Sequence, residues 1–397
     1  MRLLFVNYLH PDTLLVGAMR LLRFAEELAR RGHQVLLLCA NHRGQPDTPE
    51  TVARRIASHD WSTPLLLAVR DDSSVAHARA SRLARPLRRL STATNLVWHG
   101  GSFWRWQRAA RQFHEPIVKL FAPELAYATF GNLDALAIAR AVALRARIPW
   151  IMDIKDPAEN FLPASLRTWI MSRFRDAAAV TLNAEFQRSR NLGWADANSI
   201  VIYSGVEAAP PANAPHDPTR VALIGSIYDD RAAAIIVRGF AAWRQQKGNY
   251  GVLHYFGVSG ERVARIAADA GANEWLVIEG QIPKQDLLER CQRMAALTYV
   301  GSGGAFHHKL LELAVLGRPL VVCPAESEEA LALCRRYGIP LVGAPDEASF
   351  CAALMDAAHR PATMLTDLLR EHDWAASAAM LERIFLEVVS GGGVRAA

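Results

Sequence analysis

Lysine and cysteine are scarce in this 397-residue chain. Five lysines stand against 40 arginines. That skew fits a GC-rich genome as well as it fits a function, so the lysines mark no site by themselves. The five cysteines are Cys39, Cys291, Cys323, Cys334 and Cys351, an odd number with no C-x-x-C pair. A disulfide framework and a cysteine zinc site are therefore not expected, and a reducing cytoplasm fits. No run approaches the ~18 consecutive apolar residues of a membrane span. The opening MRLLFVNYLHPD lacks a small-residue cleavage site behind a long apolar core, so it reads as a first strand rather than a signal peptide. Short-period repeats and low-complexity tracts are also missing.

What remains is ordinary globular composition, 51% hydrophobic and 21% charged, on a length that suits two or three domains. The net charge of +6 is unevenly spread. Residues 1–208 carry 27 Lys+Arg against 18 Asp+Glu, a net of +9; residues 209–397 carry 18 against 21, a net of −3. The halves differ in electrostatic character. With an acidic second half and no DNA or RNA motif, nucleic acid is not an expected partner.

Hydrophobic patterning alternates short apolar runs with helical periods. Residues 2–7 read as a buried strand, Leu21, Leu22, Phe24, Ala25 and Leu28 as one helix face, Gly32 as its cap, and 35–40 as the next strand. Further strands are predicted at 65–69, 95–98, 125–128, 149–154, 179–182 and 200–203, with a helix over 132–146. The segment 207–219, rich in proline and poor in large apolar side chains, reads as a linker. The pattern then restarts. Strands are expected at 220–225, 251–256, 275–278, 296–300, 319–323 and 340–343. Helices are expected at 231–247, 260–271, 306–316 and 374–389. The fold class is α/β with two Rossmann-like domains, 1–206 and 220–372, facing a central cleft, and a closing helix at 373–390 that crosses back to the first domain.

The most specific segment is GSGGAFHHKLLELAVLGRPL (301–320). A strand enters a glycine loop, followed by a helix with Lys309 and Glu312, then Gly317-Arg318-Pro319. This resembles the K-x-x-E-h-h-x-x-G-x-P signature of retaining, metal-independent GT-B glycosyltransferases. GSIYDDR (225–231), IYSGVE (202–207), PWIMDIKDP (149–157), LARRGHQVLLL (28–38) and DWAASAAMLERIF (373–385) resemble other segments of that family in the right order. The resemblance covers essentially the whole chain.

It implies transfer of a sugar from a nucleoside-diphosphate donor to an acceptor hydroxyl with retention, in bacterial surface polysaccharide or glycolipid assembly. Neither a metal nor a cofactor is expected, because the nucleotide sugar is a substrate. Gly303 and Gly304 permit close backbone approach to a diphosphate, though a plain strand-to-helix turn also uses glycine. Glu312 would accept hydrogen bonds from the ribose hydroxyls. Lys309, three residues earlier, would contact phosphate or pair with Glu312. Many relatives carry a first glutamate eight positions before the ribose-binding one. Here that position is Gly304, so His307 or His308 is expected to take over sugar contacts. Arg231 suits a bidentate phosphate contact. Gly225 allows close approach, and Tyr228 would line the cleft.

In the first domain, Gly17 is expected beside donor and acceptor. Asp153, Lys155 and Asp156 are the candidate catalytic residues, with a carboxylate positioning a sugar or acceptor hydroxyl; for Asp156, capping the helix start at Pro157 is the alternative. Five arginines in 79–89 and the interleaved aromatics and arginines of 103–113 suit an anionic membrane surface, or a solvated face over core aromatics. The acceptor classes are a glycan, a lipid-linked saccharide or a small molecule. The expected location is cytoplasmic, peripheral on the inner face of the plasma membrane. A nucleotide-sugar 2-epimerase and a non-catalytic nucleotide-sugar-binding module are the alternatives.

Overall fold

The computed structural model describes residues 1–13, 16–41, 45–71, 94–190, 199–208, 216–272 and 274–391. The arginine run at 79–89 and most of the proline-rich 207–219 segment lie outside the described residues. The chain divides into two compact units. One comprises Met1–Gly205 with Trp374–Ala397, and the other Val206–Asp373.

The first unit is a seven-stranded parallel sheet. Its strands are β1 (Arg2–Val6), β2 (Gln34–Ala40), β3 (Leu65–Val69), β4 (Leu125–Phe130), β5 (Trp150–Ile154), β6 (Ala179–Leu182) and β7 (Ser199–Val201), in the order β3-β2-β1-β4-β5-β6-β7. Runs such as LLFV and VLLLCA are apolar at every position because helices cover both faces. Alternation divides them between two cores. Leu4, Val6, Leu36 and Leu38 pack with Trp106 and Phe113 on one face. Leu3, Phe5, Val35 and Leu37 pack with Phe24, Trp374 and Phe385 on the other. The closing helix Trp374–Val389 lies on that second face, against helix Val16–Arg30. There Trp374 meets Phe24 edge-on, and Glu382 binds both His33 at 2.6 Å and Arg31.

The second unit is a six-stranded parallel sheet of β8 (Asp217–Ile224), β9 (Val252–Phe256), β10 (Leu276–Gly280), β11 (Met294–Val300), β12 (Leu320–Cys323) and β13 (Leu341–Gly343), ordered β10-β9-β8-β11-β12-β13. Its core joins Phe240, Trp243, Tyr255, Trp275 and Phe350.

Each sheet reverses its strand order once, between β1 and β4 and between β8 and β11. The loops leaving those paired strands diverge to opposite faces and open a crevice at the carboxyl edge. Gly17 follows β1, Gly225 follows β8, and Gly301–Gly304 follow β11, so the glycines singled out by sequence stand at the two reversals.

Three expected elements differ from the structure. Residues Asn95–His99 form a π-helical turn, not a strand, and Trp98 is 79% exposed. A four-residue apolar run has no period long enough to separate strand from helix. The helix expected at 306–316 is regular only over Lys309–Ala314, because the preceding loop is held by side-chain bonds of Ser302 to Ala305. Strand β8 starts at Asp217, inside the expected linker, pairing with Met294.

Candidate functional site

In the second unit, two loops at the carboxyl edge are joined by main-chain bonds. Gly301 N–H donates to the Cys323 carbonyl at 2.8 Å, and Gly303 N–H donates to the Ala325 carbonyl at 3.2 Å. A Cβ on residue 301 would fall on the Ala325 carbonyl, so this close approach requires glycine. Gly303 and Gly304 are exposed, with open space where their Cβ atoms would stand. Packing therefore does not account for the missing acid at 304.

Lys309 turns back beneath β8. Its Nζ donates to the Ile224 carbonyl at 3.1 Å and lies 5.3 Å from the centre of the Tyr299 ring. Gly225 has φ +95°, and a Cβ there would collide with the Lys309 ammonium. The close approach expected at Gly225 is thus made by a lysine of the same chain. Burial lowers the Lys309 pKa to about 8, against the pull of Glu312 and Glu326 toward the charged form.

Glu312 accepts a 2.9 Å bond from Lys284 Nζ, and His308 Nε2 lies 3.8 Å from the same oxygen. Burial opposes ionisation of Glu312, but His308, Lys284 and Lys309 together hold its pKa below the usual carboxylate value. The carboxylate is anionic, and 27% of its side chain is exposed. His307 lies against a residue that sequence reading missed. Its Nδ1 is 3.0 Å from Oε1 of Glu326, whose side chain is fully buried. Tyr228 is exposed, as is Arg231, whose backbone N–H is taken by the helix cap Asp229.

In the first unit, the expected role of Asp153 is corrected. The side chain is fully buried, and its two oxygens accept four bonds, from Arg20 Nε (3.3 Å) and Nη2 (3.1 Å), Thr129 (3.1 Å) and Thr181 (2.8 Å). Burial works against the Arg20 charge, yet the Asp153 carboxylate leaves the guanidinium pKa above its ordinary value. Arg20 also donates to Ser204 Oγ and the Ile202 carbonyl. Asp153 is an anchor of the sheet edge and has no surface for a substrate hydroxyl. Asp156 does not cap the turn after Pro157. It stays partly exposed, 3.7 Å from Lys155 Nζ. Lys155 lies beside Gly17, where a Cβ would stand 3.1 Å from its Nζ. Each sheet reversal thus pairs a glycine with a lysine.

Sequence reading missed Arg20, Lys284 and Glu326. The lysine count held a usable signal, since three of the five lysines, Lys155, Lys284 and Lys309, stand at these two reversals. Arg20 was one of 40 arginines, and no spacing marked it.

No protein-family model and no curated protein matches this sequence. Solved structures do. Anabaena HepE in complex with UDP and glucose superposes with a TM-score of 0.65 at 14% identity, over 98% of this chain and 100% of that one. A sucrose-phosphate synthase from Thermosynechococcus elongatus gives 0.65 at 14%, over 98% and 99%. The UDP-GlcNAc 2-epimerase of Methanocaldococcus jannaschii gives 0.56 at 11%, over 97% and 99%. At these identities the likeness is one of fold, and the shared fold is GT-B.

Proposed function

We propose that this chain is a glycosyltransferase that moves a sugar from a nucleoside-diphosphate donor to an acceptor hydroxyl with retention of configuration. The observation that carries the reading is the ionised Glu312, paired with Lys284, together with the Lys309 ammonium under β8, at the strand-order reversal of the second sheet beside a glycine loop open to solvent. Glu312 supplies an ionised acceptor for the two ribose hydroxyls, and Lys309 supplies positive charge for the diphosphate. Arg231, exposed at the start of its helix, is free to swing onto the phosphates. As the bond from C1 to the diphosphate oxygen breaks, charge grows on that oxygen. A new bond forms from C1 to the acceptor oxygen, and the acceptor proton passes to the departing phosphate. Catalysis of this kind is positioning and electrostatics, and it calls for neither a protein nucleophile nor a metal. Lys155 and Asp156, with Gly17, are the first-unit residues left to contact substrate once Asp153 is assigned to the scaffold.

HepE was solved with UDP and glucose, so UDP-sugars are the donors to try first. A thermal-shift panel of nucleotides and nucleotide sugars, run with and without chelator, tests the site. A ligand at ~100 times its Kd adds about 2.7 kcal/mol of stability. The Glu312→Ala variant should lose about 10- to 100-fold in nucleotide affinity, the worth of a charged hydrogen-bond acceptor. Wild-type affinity in that variant would remove the site from this region. The epimerase fold is also shared, and product analysis separates the two: an epimerase changes the sugar with no acceptor present.

The acceptor we propose is a glycan or lipid-linked saccharide of bacterial surface polysaccharide assembly, met at the cytoplasmic face of the membrane. The support is a set of exposed aromatic and arginine side chains on the first unit. Trp98, Trp169 and Phe161 are exposed; Arg173 lies over Trp169 at 4.8 Å and Arg105 over Trp104 at 5.5 Å. Tryptophan beside arginine suits an anionic headgroup layer. Among the described residues no helix is long and apolar enough to cross a membrane. Flotation with phosphatidylglycerol vesicles should capture the protein at low salt and lose it in Trp98→Ala/Trp169→Ala. Equal flotation with neutral phosphatidylcholine vesicles would contradict a charge-based contact.

A further inference from the structure

Glu326 is a carboxylate with no exposed side-chain surface, and among the described residues its one ion-pair partner is His307. Among the described residues no lysine or arginine pairs with it at contact distance, and Lys309 acts on it through space. The carboxylate is met by the His307 imidazole, by the Ser327 main-chain N–H at 3.2 Å and by the neighbouring Tyr299 hydroxyl, and taking it out of water carries a desolvation cost. Its place in the fold is specific. The bonds from Gly301 to Cys323 and from Gly303 to Ala325 join the β11 and β12 loops, and Glu326 is the next residue along. It therefore enters the glycine-loop site from the neighbouring strand, while position 304, where an acid would meet no obstacle, carries glycine.

We infer that Glu326 is a positioning residue that fixes the ring of His307, so that this carboxylate–imidazole pair reads the donor sugar in place of an acid at position 304. The inference rests on the donor-site reading above. The Nδ1–H of His307 is spent on Glu326, which leaves Nε2 as the nitrogen available to a ligand. The ring is one-quarter exposed, and it packs edge-on to Tyr299, the ring that also lies under Lys309. The imidazole is thus held by a carboxylate on one edge and an aromatic neighbour on another, a geometry that selects one tautomer and one orientation. The ligand class is the hydroxyl-bearing sugar of the donor, not its nucleotide.

The test compares two ligands, a bare nucleoside diphosphate and the matching nucleotide sugar, on wild type and on Glu326→Leu, Glu326→Gln, His307→Ala and the His307→Ala/Glu326→Leu double variant. Glu326→Leu is expected to weaken the nucleotide sugar about tenfold or more while leaving the bare nucleotide within about twofold. Glu326→Gln, which keeps an acceptor for Nδ1–H, should recover most of the loss. His307→Ala should match Glu326→Leu, and the double variant should be no worse than either single one. Equal weakening of both ligands, or additive losses in the double variant, would overturn the inference and leave Glu326 a structural residue. Should Glu326→Leu fail to fold, Glu326→Gln and His307→Ala carry the same comparison. Nitrogen-15 spectra of His307 give a readout without ligand: one Nδ1–H tautomer in wild type, a mixture once residue 326 is leucine. Failure of wild type to bind any nucleotide would sink the donor-site reading, and the tautomer measurement would still decide whether Glu326 holds the ring.

Discussion

Replacing Asp153 with alanine should lower the stability of the first unit by about 3–5 kcal/mol, the cost of leaving one member of a buried ion pair without its counter-charge. Arg20 and Asp153 have no exposed side-chain surface. Removing the carboxylate strands the guanidinium and takes the acceptor from the hydroxyls of Thr129 and Thr181 at once. Those hydroxyls come from β4 and β6, while Arg20 reaches Ile202 and Ser204 beyond β7. The Arg20–Asp153 pair therefore connects the helix Val16–Arg30 to the ends of β4, β5 and β6 and to the chain beyond β7. Asp153→Asn should fall between wild type and alanine, because the amide oxygen still accepts from a hydroxyl but no charge faces Arg20. Denaturant unfolding checks this, followed by probes in each unit because the two need not unfold together. A loss under about 1 kcal/mol for Asp153→Ala would mean the pair is dispensable. A loss of activity with unchanged stability would restore Asp153 to the catalytic set.

Lys309→Met should weaken nucleoside-diphosphate binding by about 10- to 100-fold, the worth of a charge-assisted hydrogen bond to phosphate. The pH dependence is the more specific result. Burial brings the Lys309 pKa down from 10.5 to about 8, so the ammonium loses its proton within an experimentally accessible pH range. Affinity should be level below about pH 7 and fall as pH rises through 8, approaching tenfold per unit. In Lys309→Met this fall should vanish. The sign for stability is the reverse. Between pH 8 and 10.5 the unfolded chain keeps a proton that the native protein has shed, so stability rises with pH across that window. Below pH 8 the buried charge is a standing cost. Isothermal titration with the nucleotide from pH 6.5 to 9.5 decides the matter; a flat profile in wild type would show that Lys309 does not meet the phosphate.

Several elements of the candidate site are legible in the sequence. The K-x-x-E spacing sets Lys309 and Glu312 one helical turn apart, and Gly225 and the glycines of 301–304 follow β8 and β11, between which the strand order reverses. Gly225 was recognised as a close approach, though its neighbour proved to be Lys309. Other residues escaped for physical reasons. In sequence, a carboxylate such as Asp153 at a strand end near a junction suggests a chemical role. Its partner Arg20 lies 133 residues away, and pairings at that separation leave no trace in local spacing. Glu326 was hidden the same way. In ESEEA it reads as one acid among several preceding a helix, and its meeting with His307 depends on two loops bonded side by side. The segment 95–98 failed for a different reason, since four apolar residues carry no period.

The sequence alone therefore determined the class of fold, the number of units and the location of the glycine loops. These follow from hydrophobic periodicity and from main-chain geometry that only certain residues tolerate, and both are local properties of the chain. The tertiary structure decided which charges are scaffold and which are available. Arg20 and Asp153 became an anchor, Lys309 a part-buried cation beneath a glycine, and Glu326 a buried neighbour of His307. Those outcomes depend on burial and on partners brought together by strand order, and the cost of an unpaired charge is set by surroundings that a linear sequence does not contain.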